Sequence, residues 1–313
     1  MRIASLLPSA TEILCELGAG SELVGRSHEC DHPEAVQGLP VLTRARLDGL
    51  GSSGDIDAGV RRLLEKTLAL YEVDLDALAL VRPDIIVTQD LCEVCAVSRG
   101  DVCRAAESVL GSNVTIVSLE PERLADIWGD VRRVARAVER PRAGDELVRR
   151  LENRLGEIAA AVPLATRPKV LSIEWLAPVM IGGLWMPELI ELAGGSPLVT
   201  RAGERAPTLG RDELAALDPD VVLVKPCGFT LERTLAEGRL VAEALPWERW
   251  RAAREGRVVV ADGNAYFNRS GPRIVDSLEI LVAGMVPDAF PELRRKHAAS
   301  ARRLTHELEA LPL

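Results

Sequence analysis

Pro83-Asp84-Ile85-Ile86-Val87-Thr88-Gln89-Asp90-Leu91-Cys92-Glu93-Val94-Cys95 decides how the rest of the chain is read. Ile85-Ile86-Val87 is a short β-branched run after a Pro-Asp turn, the pattern of a buried strand. Polar and sulfur residues follow at once. In open α/β sheets ligands sit just beyond the carboxyl ends of the strands, so this strand carries its chemistry toward a binding crevice.

Outward from that stretch the chain reads as α/β. Ile3 to Leu7 is strand-like, and Pro8-Ser9-Ala10-Thr11-Glu12 opens a helix with Ser9 as N-cap and Glu12 completing a capping box. Leu23-Val24 starts a second strand, followed by a loop dense in potential ligands, Ser27-His28-Glu29-Cys30-Asp31-His32-Pro33. Residues 43 to 60 are rich in Gly, Ser and Asp and read as a surface excursion. Residues 60 to 71 read as a helix, Asp76 as the start of another, and Val114 to Ser118 as a further strand. Residues 121 to 162 are helix-forming and charged, interrupted at Arg140-Pro141-Arg142. That segment reads as a stiff helical connection between lobes.

The second half repeats the first. Glu16-Leu17-Gly18-Ala19-Gly20-Ser21-Glu22-Leu23-Val24 is echoed by Glu191-Leu192-Ala193-Gly194-Gly195-Ser196-Pro197-Leu198-Val199. Asp76-Ala77-Leu78-Ala79 with Pro83-Asp84-Ile85-Ile86-Val87 is echoed by Asp212-Glu213-Leu214-Ala215 with Pro219-Asp220-Val221-Val222-Leu223. Two correspondences in the same order imply two similar lobes. The expected division is an α/β lobe over 1–120, connecting helices over 121–164, and a second α/β lobe over 165–313. On the repeat alone the architecture is two similar α/β lobes joined by helices.

Composition narrows the function. The net charge of −9 and the lack of a basic stripe argue against a nucleic-acid partner. No run approaches the roughly 20 apolar residues of a membrane span. The first residues enter a strand pattern directly, with no leader pattern, which gives the expectation of a cytoplasmic protein with six reduced cysteines. No nucleophilic triad or phosphate-binding glycine loop stands in a convincing context, and nothing commits the chain to catalysis.

The repeat selects the residues expected to line the cleft. The first lobe offers Pro8, Ser9, His28, Glu29, Cys30, Gln89, Asp90, Cys92 and Cys95; the second offers Glu174, Trp175, Trp185, Tyr266, Phe267 and Arg269. Cys92 and Cys95 suit metal ligation, a redox pair or plain packing; with His28 and Cys30 they would favour zinc, copper(I) or cobalt over magnesium or calcium. Trp175, Trp185, Tyr266 and Phe267 suit either stacking on a flat ligand or the core. Arg269 suits an anionic group or amide of the ligand, or a partner such as Asp262. Asp76 and Asp212 occupy equivalent places in the repeat, where a carboxylate can also serve a helix N-terminus.

Several stretches together resemble the cobalamin-binding branch of the class III periplasmic-binding-protein family, the helical-backbone metal receptors. They are Arg2-Ile3-Ala4-Ser5-Leu6-Leu7-Pro8-Ser9-Ala10-Thr11-Glu12, Val24-Gly25-Arg26-Ser27, Asp31-His32-Pro33, Leu192-Ala193-Gly194-Gly195 and Tyr266-Phe267-Asn268-Arg269-Ser270-Gly271-Pro272-Arg273-Ile274. The resemblance implies an α/β fold of two Rossmann-like lobes bridged by a long helical backbone, with a corrinoid, cobalamin or a precursor, or a related metal chelate, gripped in the cleft between the lobes. It also implies docking to an ABC permease through Asp76 and Asp212. The chain departs from the branch in its cleft, where Glu29, Gln89, Ala206 and Ala265 stand in place of aromatics, and in its Cys-x-x-Cys loop. The alternative reading is a metal-binding protein or enzyme with a Cys/His site on the same scaffold.

Overall fold

The computed structural model describes residues 1–45, 51–65, 71–89, 100, 106, 108–110, 114–163 and 167–313. Two compact units emerge, one from Met1–Gly51, Asp55–Pro121 and Ala125–Arg150, the other from Ser52–Gly54, Glu122–Leu124 and Leu151–Leu313. The α-helix Pro141–Ala161 runs unbroken through the division. At 1.5 Å per residue its 21 residues span about 30 Å.

In the first unit β1 (Ile3–Ser5), β2 (Leu23–Arg26), β5 (Ile85–Gln89) and β6 (Thr115–Leu119) form a parallel sheet in the order β2-β1-β5-β6. A separate antiparallel pair, β3 (Thr43–Ala45) and β4 (Tyr71–Val73), matches Thr43 to Val73 and Ala45 to Tyr71. Ala4, Ile86 and Leu78 are fully buried in the unit's core. Gly25 is required where it stands: a Cβ there would lie 2.5 Å from Leu42 Cδ1. Leu42 is itself fully buried, so it fixes the start of β3 against β2.

The second unit repeats this connectivity. Its strands are β7 (Lys169–Leu176), β8 (Val179–Ile181), β9 (Ser196–Pro197), β10 (Val221–Val224), β11 (Val258–Ala261), β12 (Ala301–Leu304) and β13 (Ala310–Leu311). β9, β7, β10 and β11 lie side by side and parallel, the same order as in the first sheet. β8 folds back antiparallel on the end of β7, and β12 and β13 extend the far edge antiparallel. β13 pairs over two residues only, and the carbonyls beyond it are taken by arginines: Arg294 donates to Leu313, and Arg303 to Pro312 at 3.3 Å. Val221 to Val224 and Val258 to Ala261 are buried throughout, as continuous apolar strands covered on both faces should be.

Several local expectations shift. The first helix is Pro8–Glu16 with Leu7 as N-cap, because proline takes the first helical position, so Ser9 sits inside the helix. The helix expected over 60–71 is Ser53–Glu65, and β3 also lies within the expected surface excursion. Asp74, not Asp76, caps Leu75–Val81, accepting from the Ala77 N–H at 2.9 Å.

A buried ion network sits within the second unit. Glu279, on helix Ile274–Met285, is 1 % exposed and accepts from Arg154 at 2.8 Å, His297 at 2.9 Å and Lys296 at 2.5 Å. Burial alone would raise its carboxyl, but the bonds from His297, Lys296 and Arg154 outweigh that and hold it at about 2. Between pH 4.5 and 2 the unfolded chain therefore binds more protons at this residue than the folded one. Stability from Glu279 is present above the unfolded value and is lost as pH falls toward 2. We expect the urea midpoint of the native protein to fall steeply over that window. Glu279→Gln should be less stable at pH 6, by on the order of 3 kcal/mol, with a flatter acid limb; equal midpoints at pH 6 would remove the network from the stability account.

Candidate functional site

Both sheets have their first strand between the second and third, so connections leave it toward opposite sides and open a crevice at the carboxyl ends. In the first unit the residues there come from Pro8 and Ser9 after β1, residues 27–33 after β2, and Gln89 at the end of β5. Pro8 is half-buried and Ser9 buried. Asp90, Cys92 and Cys95 lie outside the described residues.

The loop after β2 is tightly tied. Arg26 donates to the carbonyls of Ser27 (3.0 Å), Cys30 (3.1 Å) and Gln37 (3.0 Å), so one guanidinium gathers the turn. His28 is held by Thr43, whose Oγ1 lies 3.1 Å from the His28 main-chain N and 2.8 Å from its Nδ1. The His28 ring also packs 5.1 Å from the Tyr71 ring. Burial lowers the His28 pKa and the Arg26 charge lowers it further, against Glu29 and Thr43, which favours a neutral imidazole. Glu29 accepts from the Tyr71 hydroxyl at 2.8 Å. Cys30 is 1 % exposed, its Sγ 3.1 Å from the Thr11 hydroxyl.

The second unit builds its side around Lys225, whose loop the sequence places at a strand end but whose role the sequence does not single out. Lys225 follows β10 directly and is fully buried, its Nζ donating to Asn268 Oδ1 at 2.7 Å and Glu174 Oε2 at 3.2 Å. Asn268 in turn donates to the carbonyls of Lys225 (3.2 Å) and Gly263 (2.8 Å). The loops after β10 and β11 are thereby joined to each other and to β7, which carries Glu174. Gly263 permits the approach: a Cβ there would stand 2.1 Å from the Pro226 carbonyl oxygen. A charged residue immediately after four apolar strand residues was the available signal.

The aromatics separate into two groups. Trp185 and Phe267 belong to the interior, 6 % and 1 % exposed, with the Trp185 indole N–H given to the Phe267 carbonyl at 2.9 Å. Trp175 is half-buried, edge-on to Phe229 at 5.3 Å, and the Arg233 guanidinium lies 4.3 Å from the Phe229 centroid. Tyr266 is half-buried beneath the Arg273 guanidinium at 5.3 Å, and Arg269 is buried. Asp262 accepts from the Asn264 and Ala265 N–H groups, which shapes the loop before Tyr266.

For a bare metal ion the arrangement offers little. Among the described residues, the group of three acidic or imidazole side chains close enough to share an ion is Asp276, Glu279 and His297. Lys296 already bridges Asp276 and Glu279 there, and Arg154 holds the other Glu279 oxygen. His28 and Cys30 belong to no such group among the described residues, so the expected zinc site finds no support.

Asp76 and Asp212 are both exposed and both stand second in their helices, Leu75–Val81 and Arg211–Ala216. Neither is the cap, since Asp74 serves the first helix and the Glu213 carboxylate takes the Gly210 N–H at 2.7 Å in the second. No helix among the described residues is long and apolar enough to cross a membrane.

Residues 3–265 match the family model described as periplasmic binding protein. An ABC transporter substrate-binding lipoprotein of Bacillus subtilis, YvrC, is 21% identical over 300 residues, covering 93% of this chain and 82% of that protein. Among the solved structures that share the fold are two with a stated ligand. A periplasmic heme-binding protein from Pseudomonas aeruginosa has TM-score 0.68 and 22% identity, covering 98% of this chain and 96% of that one. The periplasmic vitamin B12 binding protein BtuF of Vibrio cholerae has TM-score 0.62 and 18% identity, covering 92% and 97%. The expectation of a cytoplasmic protein is overturned: the relatives are periplasmic proteins and a lipoprotein. That expectation rested on the first residues alone, and a leader is an address separate from the fold.

The Lys225 cluster makes a direct prediction. Lys225→Met keeps most of the volume but removes the cation between Glu174 and Asn268. It should cost about 3 kcal/mol, the low end for a broken buried pair, because Glu174 retains some solvent. Adding Glu174→Gln should recover part of that loss in thermal unfolding; a double variant no more stable than the single would show the two residues act independently.

Proposed function

The chain belongs to the periplasmic binding protein family, and from that premise we propose that it is the substrate-binding protein of an ABC importer for a corrinoid, cobalamin or a precursor. The ligand is met by loops at the carboxyl ends of parallel strands. The observation that carries this reading is the charge at those loops. Glu29 and Glu174 are acidic, Gln89 is an amide, Lys225 is sealed from solvent and matched by Glu174, and the guanidiniums there are engaged, Arg26 by three carbonyls and Arg233 and Arg273 over the Phe229 and Tyr266 rings. A macrocycle rimmed with anionic carboxylates needs cations at its periphery, whereas a corrin rimmed with neutral amides is served by acceptors and amides. Half-buried Trp175 and Tyr266 supply apolar area for the flat ring. YvrC gives precedent for a substrate-binding role beside an ABC transporter, and the B12-binding neighbour for the ligand class.

Exposed Asp76 and Asp212 then serve the importer's membrane subunits, one carboxylate from each half of the repeat, free of any capping duty. Rim charges of this kind govern docking more than the ligand's own affinity. Asp76→Ala and Asp212→Ala should leave ligand binding unchanged and weaken coupling to the cognate importer.

Calorimetry and corrin absorbance with cyanocobalamin, hydroxocobalamin and cobinamide test the reading, with haemin alongside. Binding of at least one corrinoid at tens of micromolar or tighter, and ahead of haemin, is the expected result. Haemin binding without any corrinoid would overturn the corrinoid assignment and move the ligand to the anionic macrocycles.

A further inference from the structure

From the contacts behind Tyr266, we infer that His297 is a positioning residue for ligand binding: its ring fixes where the Tyr266 ring stands against a flat macrocycle. The inference rests on the reading of the protein as a binder of such a ligand, and adds the residue that holds part of its apolar contact surface in place.

The loop after β11 has its backbone and its tyrosine ring held by different groups. Bonds that do not involve His297 fix the backbone. The Phe267 N–H goes to Ser277 Oγ at 2.9 Å, the Phe267 carbonyl accepts the Trp185 indole N–H at 2.9 Å, and Asn268 is anchored on the Lys225 and Gly263 carbonyls. The half-buried Tyr266 ring is placed by other contacts. The Arg273 guanidinium lies 5.3 Å from its centroid. The His297 ring stands nearly perpendicular to it, planes at 87° and centroids 6.3 Å apart. The Ser300 hydroxyl donates to the Tyr266 hydroxyl at 3.4 Å. Without the imidazole the ring can leave its rotamer while the loop around it keeps its course.

His297 is itself firmly placed. It is 2 % exposed, its Nε2 lies 2.9 Å from Glu279 Oε2, and its main-chain N–H goes to the Leu293 carbonyl at 2.9 Å. Arg154 and Lys296 pin Glu279 in turn, and Lys296 also reaches Asp276 at 2.9 Å. The turn that carries His297 is joined to the start of the Tyr266 loop: the Ser300 N–H goes to the His297 carbonyl, and the Ser300 carbonyl accepts the Asp262 N–H, each at 2.9 Å. A buried ion network thus ends, through one imidazole, on the half-exposed aromatic of a strand-end loop. Perpendicular aromatic pairs at this separation attract each other beyond the area they bury. A contact side chain ordered before the ligand arrives gives up less rotamer freedom on binding, so the imidazole contributes to affinity without touching the ligand.

The chain has two tyrosines, so fluorotyrosine labelling gives two fluorine resonances, and Tyr71→Phe identifies the one from Tyr266. His297→Leu should move or broaden that resonance in the ligand-free protein. It should also weaken binding of whichever of cyanocobalamin, cobinamide and haemin the native protein takes, by about three- to tenfold. His297→Gln, which keeps a donor for Glu279 but supplies no ring, should do the same, and cooperative thermal unfolding shows that each variant is folded. In a Tyr266→Ala background the affinity loss from His297→Leu should vanish, while its effect on thermal unfolding remains. An equal affinity loss in both backgrounds, an unmoved Tyr266 resonance, or native affinity in His297→Gln would overturn the positioning role and leave the ligand reading intact. Haemin binding alone, with the affinity loss still confined to the protein that has Tyr266, would change the ligand class and support the positioning role. A native protein that binds none of the three would overturn the ligand reading and this inference with it.

Discussion

A parallel strand cannot turn straight back into its neighbour. It must release the chain at its carboxyl end, through a connection that crosses the sheet and returns to the other end. When the first strand is central, as β1 and β7 are, those connections depart in opposite directions and cannot close over the strand ends. Everything chemical in the protein follows from that constraint. The loop of His28, the start of helix Pro8–Glu16, Lys225 and the 262–269 loop are all brought to strand ends by the same connectivity, used twice.

The two copies then spend their strand ends differently. The first keeps a short network of hydroxyls and an imidazole, with Ser27, Thr43 and His28 in sequence. The second settles its charge internally, with Lys225, Glu174 and Asn268 linked by hydrogen bonds that join β7 to two strand-end loops. A buried lysine on its own would be costly, and it is tolerated here because two acceptors meet it. Duplication thus supplied one frame and two chemistries.

How much of this the sequence discloses depends on whether the cause is local. The buried strands were legible because apolar runs such as Val221 to Val224 are bounded by turns. The doubled topology was legible because the repeat keeps its order. The first helix was misplaced by two residues because proline, not serine, sets its start; Leu7 must be extended before Pro8. Trp185 and Phe267 read equally well as ligand-facing or interior, and only packing separates them: their side chains are buried and bonded to one another's surroundings. Thr43 and Tyr71 were illegible because their importance lies in contacts to residue 28 across 15 and more positions, within what reads as a surface excursion. Lys225 carried a signal, a charge abutting a buried strand, but its partners are 43 and 51 residues away.

The far edge of the second sheet has a consequence of its own. A strand left unpaired offers a template for other chains, and long flat edges are where soluble proteins begin to aggregate. β12 is covered by β13 over two residues, and the carbonyls that follow are claimed by the side chains of Arg294 and Arg303. The edge is thus blunted by shortness and by positive charge, both of which discourage a second copy from adding a strand. Those two arginines act as gatekeepers: their contribution is to colloidal behaviour at high concentration, a property that neither the folding free energy nor the binding site would report.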